Sequence, residues 1–388
     1  MISSTINHFQ KDIDRVNHSK ARLLLDRNAV IHNLEQIKNN SKPAHIMAVL
    51  KGNAYGIGIK NILPLVAPYA RAYAVDNLAE AIELRKLGVQ KKILVFEGGI
   101  RDCLDLSLQY HLTPGICDTE QLLAYDQMAK TEGPIPVWLL TNIGFNRSGY
   151  REDKMFEAFV KKAASCKNLS VEAVYAHMTN AHADTDISRR QIDIFFSRIK
   201  MANKILQRKV ATSLFASHAI LRWAEKYPTT WVRPGLIMYG EHIYDLSKLS
   251  EEEKQYISVL KPALSLQARI MSLVSIPSDQ YLGYNQTVHV KKGTRLANIG
   301  IGFGKGFPSG NLHIPVLLRD TITHTWGAAG MDISQIDVTR ILDAKPLDWV
   351  TFFGKSGKHF LPLSTFLNKA NVSPYQFLTG LRVITKTK

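Results

Sequence analysis

The sequence predicts an α/β fold in which a (β/α)₈ TIM barrel is followed by a mostly β C-terminal domain. Between Ala44 and Gly240, eight short apolar segments alternate with longer segments whose apolar residues recur every three or four positions. After Tyr256 this rhythm stops, and short apolar–polar alternations separated by Gly, Pro and Ser follow. The length of 388 residues is sufficient for two such domains.

The eight apolar segments are the predicted barrel strands, and the periodic segments between them are the predicted helices. One helix starts at Leu78 and ends before Gly88, and another covers residues 186–209. An open, doubly wound sheet is the alternative, but such a sheet rarely needs eight strand–helix units in a row. The predicted strands cover residues 45–50, 73–77, 93–98, 113–117, 137–142, 171–177, 213–217 and 231–236.

The chain divides into an N-terminal extension (residues 1–21), a barrel domain (residues 22–248) and a β domain (residues 249–388). A strand over residues 22–26 precedes the first barrel strand, and the pattern leaves open whether it joins the barrel or the β domain. The boundary is placed within the charged and polar segment 241–252. In the β domain the predicted strands cover residues 263–274, 295–299, 316–318, 333–338 and 349–353, with a short helix near 363–370.

Composition and charge exclude several classes of protein. The net charge is +16, but the basic pairs are scattered and lack interleaved aromatic residues, so we predict a solvated basic surface and no nucleic-acid partner. The polar N-terminus lacks the apolar core of a signal peptide, and no apolar stretch is long enough to span a membrane. Three widely spaced cysteines indicate reduced thiols, and hence a cytoplasmic protein without disulfide bonds.

Lys51 is the residue that most strongly indicates chemistry. It follows an apolar strand and precedes a glycine-rich turn, residues 52–58. Burying a lysine is costly and glycine weakens the element that contains it, so stability does not explain this arrangement. A desolvated lysine loses its proton easily and can attack an aldehyde. The alternative is a lysine that merely extends from a strand end into solvent.

Four further polar residues lie at or near the ends of predicted barrel strands: Arg147, His177, Ser217 and Arg233. Because the active sites of such barrels lie at the carboxyl ends of the strands, we expect these side chains to converge. The loops after the last two strands commonly bind phosphate, and Ser217 with the backbone amides near Gly235 and Leu236 suits that role.

Most of these residues also have a structural explanation. Arg147 fits a surface loop, His177 a hydrogen-bonded core position, and Ser217 a helix cap. Arg233 is harder to explain in this way, because a buried guanidinium needs an acceptor. The convergence of all these residues at one rim therefore favours function. No metal site is predicted, because His177 and His182 are not spaced to share one helical face.

Six motifs, in order along almost the whole chain from Ala21, resemble those of the alanine racemases, a pyridoxal 5′-phosphate family with a barrel and a β domain. The segment 48–56, AVLKGNAYG, resembles the motif of the cofactor lysine. The remaining matches are 144–149 (GFNRSG) for the substrate-carboxylate arginine, 232–240 (VRPGLIMYG) for the pyridine-nitrogen arginine, 260–266 (LKPALSL) for the start of the β domain, 283–285 (GYN) for the catalytic tyrosine and 330–332 (GMD) for a turn near the partner's site.

The resemblance implies a role for each residue. Lys51 would bind the cofactor aldehyde and serve as a base on one face of the substrate, and Tyr284 of the second subunit of a homodimer would serve the other face. His177 would orient Arg233 at the pyridine nitrogen. The implied cofactor-binding residues are Lys51, Tyr55, His177, Ser217, Arg233, Gly235 and Leu236. The implied substrate-binding residues are Arg147, Met331 and Asp332.

The resemblance implies an isomerase that interconverts L- and D-alanine and supplies D-alanine for peptidoglycan. The alternatives are a broad-specificity racemase or decarboxylase of the same fold, and a non-catalytic pyridoxal-phosphate-binding paralogue. The β domain lacks the cysteine expected of the decarboxylases, and retention of both Lys51 and Tyr284 argues against a non-catalytic carrier. The chain departs from the family pattern at two positions in particular. Leu140 replaces a lysine that would orient Arg147, and Leu381 stands where a phosphate-binding tyrosine is expected.

Overall fold

A computed structural model describes residues 20–96, 103–128, 133–179, 185–242, 249–283, 286, 288–310 and 312–388 of the chain. Strand β1 (Ala21–Leu25) and helix α1 (Arg27–Asn40) come first, and a barrel of eight parallel strands follows. The barrel strands are β2 (His45–Val49), β3 (Ala70–Val75), β4 (Lys92–Val95), β5 (Thr113–Ile116), β6 (Ile135–Leu140), β7 (Leu169–Tyr175), β8 (Ala211–Ser213) and β9 (Trp231–Val232).

The barrel is nearly closed. Neighbouring strands pair in the order β8, β7, β6, β5, β4, β3, β2, β9. Just beyond β8 and β9, Ala216 forms a parallel bridge with Arg233, which joins the two edges. All of β5, and all of β2 after His45, is buried, as expected for parallel strands packed on both faces. The predicted (β/α)₈ barrel is therefore confirmed.

Helices lie between the barrel strands, and side-chain caps fix where several of them begin. Asn77 accepts a hydrogen bond from the backbone N–H of Glu80, and Thr185 accepts one from that of Ser188. No helix in the described ranges combines the length and hydropathy needed to cross a bilayer. The helices between the barrel strands are α2 (Ile59–Val66), α3 (Leu78–Lys86), α4 (Leu104–Gln109), α5 (Thr119–Met128), α6 (Asp153–Ser165), α7 (Asp186–Leu206) and α8 (His218–Trp223).

The C-terminal part is mostly β, as predicted, and it includes the first strand of the chain. β1 pairs antiparallel with β10 (Leu264–Ser275) and parallel with β19 (Ile384–Thr387). The other strands are β11 (Gln280–Leu282), β12 (Val288–Val290), β13 (Arg295–Ile299), β14 (Pro315–Leu318), β15 (Thr321–His324), β16 (Ser334–Asp337), β17 (Trp349–Ser356) and β18 (His359–Leu361). The helices are α9 (Glu251–Ser258), α10 (Leu363–Ala370) and α11 (Pro374–Gly380).

Helix α11 of the C-terminal part packs directly against the barrel at the turn that follows β2. A Cβ atom added to Gly56 would lie 1.9 Å from the carbonyl oxygen of Leu378, so only glycine permits this approach. The contact brings α11 to the carboxyl end of the barrel. The predicted domain boundary at residue 248 lies within residues 243–248, outside the described part of the chain, as does the extension before Lys20.

Candidate active site

A cavity of about 710 Å³ opens at the carboxyl ends of the barrel strands. Most of its wall residues lie at or just after the carboxyl ends of the strands, where the sequence placed the site, and α11 adds Tyr375 and Thr379. Six of the predicted residues line this cavity together: Lys51, Tyr55, Arg147, His177, Ser217 and Arg233. The structure therefore brings together side chains that are up to 182 positions apart in the chain, from residue 51 to residue 233.

The amine of Lys51 points into this cavity. Its Nζ atom lies 3.4 Å from Oδ1 of Asp76 and 5.9 Å from the centre of the Phe96 ring. The side chain is 39% exposed, so the amine is half-exposed rather than desolvated as the sequence suggested. The reason is that Lys51 lies beyond the end of β2, where its side chain leaves the packed barrel interior and faces the open cavity.

A single turn of left-handed helix, Lys51–Tyr55, directs the chain from β2 toward the site. Asn53, Ala54 and Tyr55 have φ values of 51°, 55° and 61°, which non-glycine residues rarely adopt and which cost about 1–2 kcal/mol each. Hydrogen bonds hold the turn: the N–H of Asn53 donates to Oε1 of Glu80 over 2.9 Å, and the Tyr239 hydroxyl donates to the Ala54 carbonyl over 2.9 Å. Backbone strain of this kind is typical of functional sites.

Tyr55 is 7% exposed and packs directly against the backbone of Gly235. A Cβ atom added to Gly235 would lie 2.0 Å from Oη of Tyr55, so this close approach requires glycine. Burial raises the pKa of Tyr55 well above its usual value, and the phenol therefore stays protonated as a hydrogen-bond donor.

Tyr375 of α11 is a cavity residue that sequence reasoning missed. Its ring centre lies 5.9 Å from that of Tyr55, and both rings line the same end of the cavity. The resemblance led us to expect a tyrosine near Leu381, which instead is buried and 7% exposed. The sequence feature that could have indicated Tyr375 is Pro374, because proline favours the first position of a helix and here begins the short helix that carries Tyr375.

Arg233 is 3% exposed and is held by neutral acceptors. Nη1 donates to the carbonyl and the Oγ atom of Ser213 over 2.8 and 2.5 Å, and Nη2 donates to the carbonyl of Ala176 over 2.5 Å. Burial lowers the pKa of Arg233 to about 10, so the guanidinium remains charged near neutral pH.

His177 lines the cavity together with three cationic side chains, those of Lys51, Arg147 and Arg233. Burial, followed by the positive charges of Arg233, Arg147 and Lys51, lowers the pKa of His177 to about 3, so its imidazole is neutral near pH 7. The hydrogen bond that we expected from His177 to Arg233 is absent among the described residues, because the guanidinium donates instead to the carbonyl of Ala176 after β7 and to those of Ser213 and Leu214 at the end of β8. The ring packs edge-on against Phe145 at 5.0 Å.

Arg147 is exposed to the cavity from the segment between β6 and α6. Its guanidinium lies 4.7 Å from the centre of the Phe145 ring, a cation–π contact that holds it near His177. Leu140, the last residue of β6, is 7% exposed and also lines the cavity. An apolar side chain there cannot form an ion pair with Arg147.

Ser217 lines the remaining edge of the cavity, and Gly235 packs against Tyr55, another residue of the cavity wall. Ser217 has a positive φ of 42° and precedes helix α8. The side chain of Leu236 is fully buried at the start of the 3₁₀ turn Leu236–Tyr239, so only its backbone can serve a ligand. The first N–H groups of such a turn lack partners within it, which suits an anion.

Four predicted residues in the described part of the chain do not line this cavity: Gly235, Leu236, Met331 and Asp332. Tyr284 lies outside the described residues, as do His182 and its neighbours in segment 180–184. Met331 is 61% exposed on the C-terminal part, and Asp332 beside it is also exposed. The N–H groups of Phe303 and Gly304 donate to the carbonyls of residues 330 and 331 over 3.0 and 2.8 Å, which fixes this turn in place.

The fold and the cavity define a two-part barrel protein whose site combines a lysine amine with two arginines. Models of the N-terminal and C-terminal domains of alanine racemase match residues 25–242 and 263–387. The chain is 28% identical over 365 residues to the alanine racemase of Vibrio parahaemolyticus, covering 93% of this chain and 96% of that protein. The chain therefore belongs to the alanine racemase family, as its motifs predicted.

Solved structures agree with this assignment. The biosynthetic alanine racemase from Pseudomonas aeruginosa superposes with a TM-score of 0.82 at 25% identity, covering 95% of this chain and 99% of that one. A histidine racemase from Leuconostoc mesenteroides has the same fold, with a TM-score of 0.81 at 24% identity and coverage of 95% and 98%. The fold alone therefore does not specify the side chain of the substrate.

Proposed function

We propose that this chain is a pyridoxal 5′-phosphate-dependent isomerase that interconverts L- and D-alanine. The observation that carries the proposal is the convergence of Lys51, Tyr55, Arg147, His177 and Arg233 in one cavity of the family fold. The family supplies the class of reaction, and the cavity supplies side chains suited to each part of it.

The residues present fit the cofactor. Lys51 offers a primary amine for the aldehyde, and Arg233 offers a charged donor for the pyridine nitrogen. Tyr55 with the backbone of Gly235, where no Cβ atom fits, forms a cradle in which donors can approach a phosphate closely. When bound, the cofactor would withdraw electrons from the substrate and acidify its Cα–H bond.

Each side chain then has a defined task. Lys51 would take or return the Cα proton on one face, and Tyr284 would do so on the other. Arg147 would hold the substrate carboxylate, for which a guanidinium is well shaped. Because its pKa of about 10 keeps Arg233 charged, it would donate to the ring nitrogen without giving up its proton, which restrains electron withdrawal and limits side reactions.

We propose a homodimer in which Tyr284, Met331 and Asp332 complete the site of the partner. This is supported by the exposure of Met331 and Asp332 on a fixed turn that does not line the cavity of their own chain. We also propose a cytoplasmic enzyme that supplies D-alanine for peptidoglycan, and its three cysteines, all described and none in a disulfide bond, accord with a reducing compartment.

The test is racemisation in deuterium oxide. The purified protein with added pyridoxal 5′-phosphate is incubated with L-alanine, and in parallel with L-serine, L-histidine and L-lysine, before chiral analysis and mass spectrometry. We expect D-alanine that carries deuterium at Cα, and no such product from Lys51→Ala, whereas Lys60→Ala on the exposed face of α2 should behave as the wild type. If no amino acid acquires deuterium, the proposal is wrong.

A further inference from the structure

The side chain of Arg198, which lies outside the cavity, contacts both ends of the loop that carries Arg147. Arg198 lies on α7, is 2% exposed and does not line the cavity. Its hydrogen-bond acceptors among the described residues lie on the segment between β6 and α6 and at the first residue of α6. They are Oγ1 of Thr141 at 2.9 Å, the carbonyl of Asn142 at 2.7 Å, the carbonyl of Tyr150 at 2.9 Å, the carbonyl of Arg151 and Oδ1 of Asp153 at 2.9 Å.

These acceptors lie on both sides of Arg147, so Arg198 holds the two ends of the loop together. Three residues in the middle of the loop have positive φ: Gly144 and Gly149 at 119° and 83°, which glycine adopts readily, and Asn146 at 59°, which is less favourable for a residue with a side chain. Most of the internal support of the loop comes from Asn142, whose Oδ1 atom accepts from the N–H groups of Gly144 and Asn146 over 2.9 and 3.2 Å.

The energetics favour a positioning role over a purely stabilising one. A buried guanidinium is costly unless its donors are satisfied, and here four of the five acceptors belong to the loop, while the fifth, Asp153, is the first residue of α6. Removing Arg198 would leave the buried hydroxyl of Thr141 and the carbonyl of Asn142 without this donor, and the loop would move to regain partners.

We propose that Arg198 is a positioning residue that closes the base of the segment 141–151 and thereby directs Arg147 into the cavity. The proposal rests on the proposed role of Arg147 in binding the substrate carboxylate. Its consequence is that substrate affinity depends on a residue of an outer helix that touches neither substrate nor cofactor.

The test compares Arg198→Met with Arg85→Met in the protein loaded with cofactor. Arg85 is a matched control, because it also donates to backbone carbonyls of neighbouring loops, those of Val89, Lys91, Tyr110 and His111, but does not contact the cavity. We expect Arg198→Met to raise KM for alanine by at least about tenfold with a smaller change in kcat. Arg85→Met should lower stability while KM stays unchanged.

Binding of propionate, a carboxylate that cannot react, provides a readout that needs no turnover. We expect Arg198→Met to weaken propionate binding by a factor similar to its effect on KM, and to add nothing in an Arg147→Met background. If Arg198→Met does not fold, Thr141→Val removes one acceptor and should weaken propionate binding by about threefold. Unchanged propionate binding, or an undiminished effect in the Arg147→Met background, would overturn the proposal even if racemisation itself is confirmed.

Discussion

The Nζ atom of Lys51 lies 3.4 Å from Oδ1 of Asp76, and the two side chains are 39% and 60% exposed. Exposed ion pairs of this kind contribute about 0–1 kcal/mol to stability. We therefore expect Asp76→Asn to change the free energy of unfolding by less than about 1 kcal/mol, as measured by urea denaturation. A loss of several kcal/mol would show that the pair is part of the structural core of the barrel rather than a contact within the site.

Gly235→Ala tests the cradle formed with Tyr55. The new Cβ atom would lie 2.0 Å from Oη of Tyr55 and 2.7 Å from its Cζ atom, so the phenol or the backbone must move. We expect the affinity of the unloaded protein for pyridoxal 5′-phosphate, measured by fluorescence titration, to fall at least about tenfold, with a stability loss of about 1–3 kcal/mol. Gly133→Ala is the control, because among the described residues no atom other than those of its chain neighbours lies within 4 Å of the new Cβ. Equal affinities for both variants would contradict the cradle.

His177 should make the protein less stable in acid. The folded-state pKa of about 3 lies below the ordinary value of 6.5, so the unfolded chain binds the proton first as pH falls. Stability therefore declines between about pH 6.5 and pH 3. We expect the free energy of unfolding of His177→Gln, measured in urea without cofactor, to fall less over this pH range than that of the wild-type protein. If both proteins depend on pH identically over this range, the imidazole is not held neutral.

Glu241 should have the opposite dependence on pH. The residue is 7% exposed, and burial raises its pKa from 4.5 to about 8. Unfolding between these pH values releases a proton, so this carboxyl makes the fold less stable as pH rises from 4.5 to 8. We expect Glu241→Gln to stabilise the protein at pH 9 relative to pH 5, by on the order of 1–3 kcal/mol in thermal or urea unfolding. If Glu241→Gln stabilises the protein by the same amount at both pH values, Glu241 is not a buried neutral carboxyl.

The barrel and the C-terminal strands could be predicted because each depends on a local pattern. Strand β13 and helix α10 begin and end where the spacing of apolar residues indicated. The residues of the site that follow the strands could be predicted for the same reason, since parallel strands end at one edge and Lys51, His177 and Arg233 must meet there.

The remaining features depend on contacts between distant parts of the chain. The left-handed turn passes through Asn53, Ala54 and Tyr55, none of which requires a positive φ, and it is maintained by Glu80 and Tyr239. Tyr375 reaches the cavity only because α11 packs on Gly56. No pattern within either segment indicates its partner, so these features emerge only in the folded chain.

The central claim is that the amine of Lys51 binds the aldehyde of the cofactor at the mouth of the barrel. The most direct measurement is reduction of the cofactor-loaded protein with borohydride, followed by peptide mass mapping. We predict that the cofactor is found covalently attached to the peptide containing Lys51, and that Lys51→Ala carries no attached cofactor. Attachment to a different lysine in the wild-type protein, or none at all, would contradict the account.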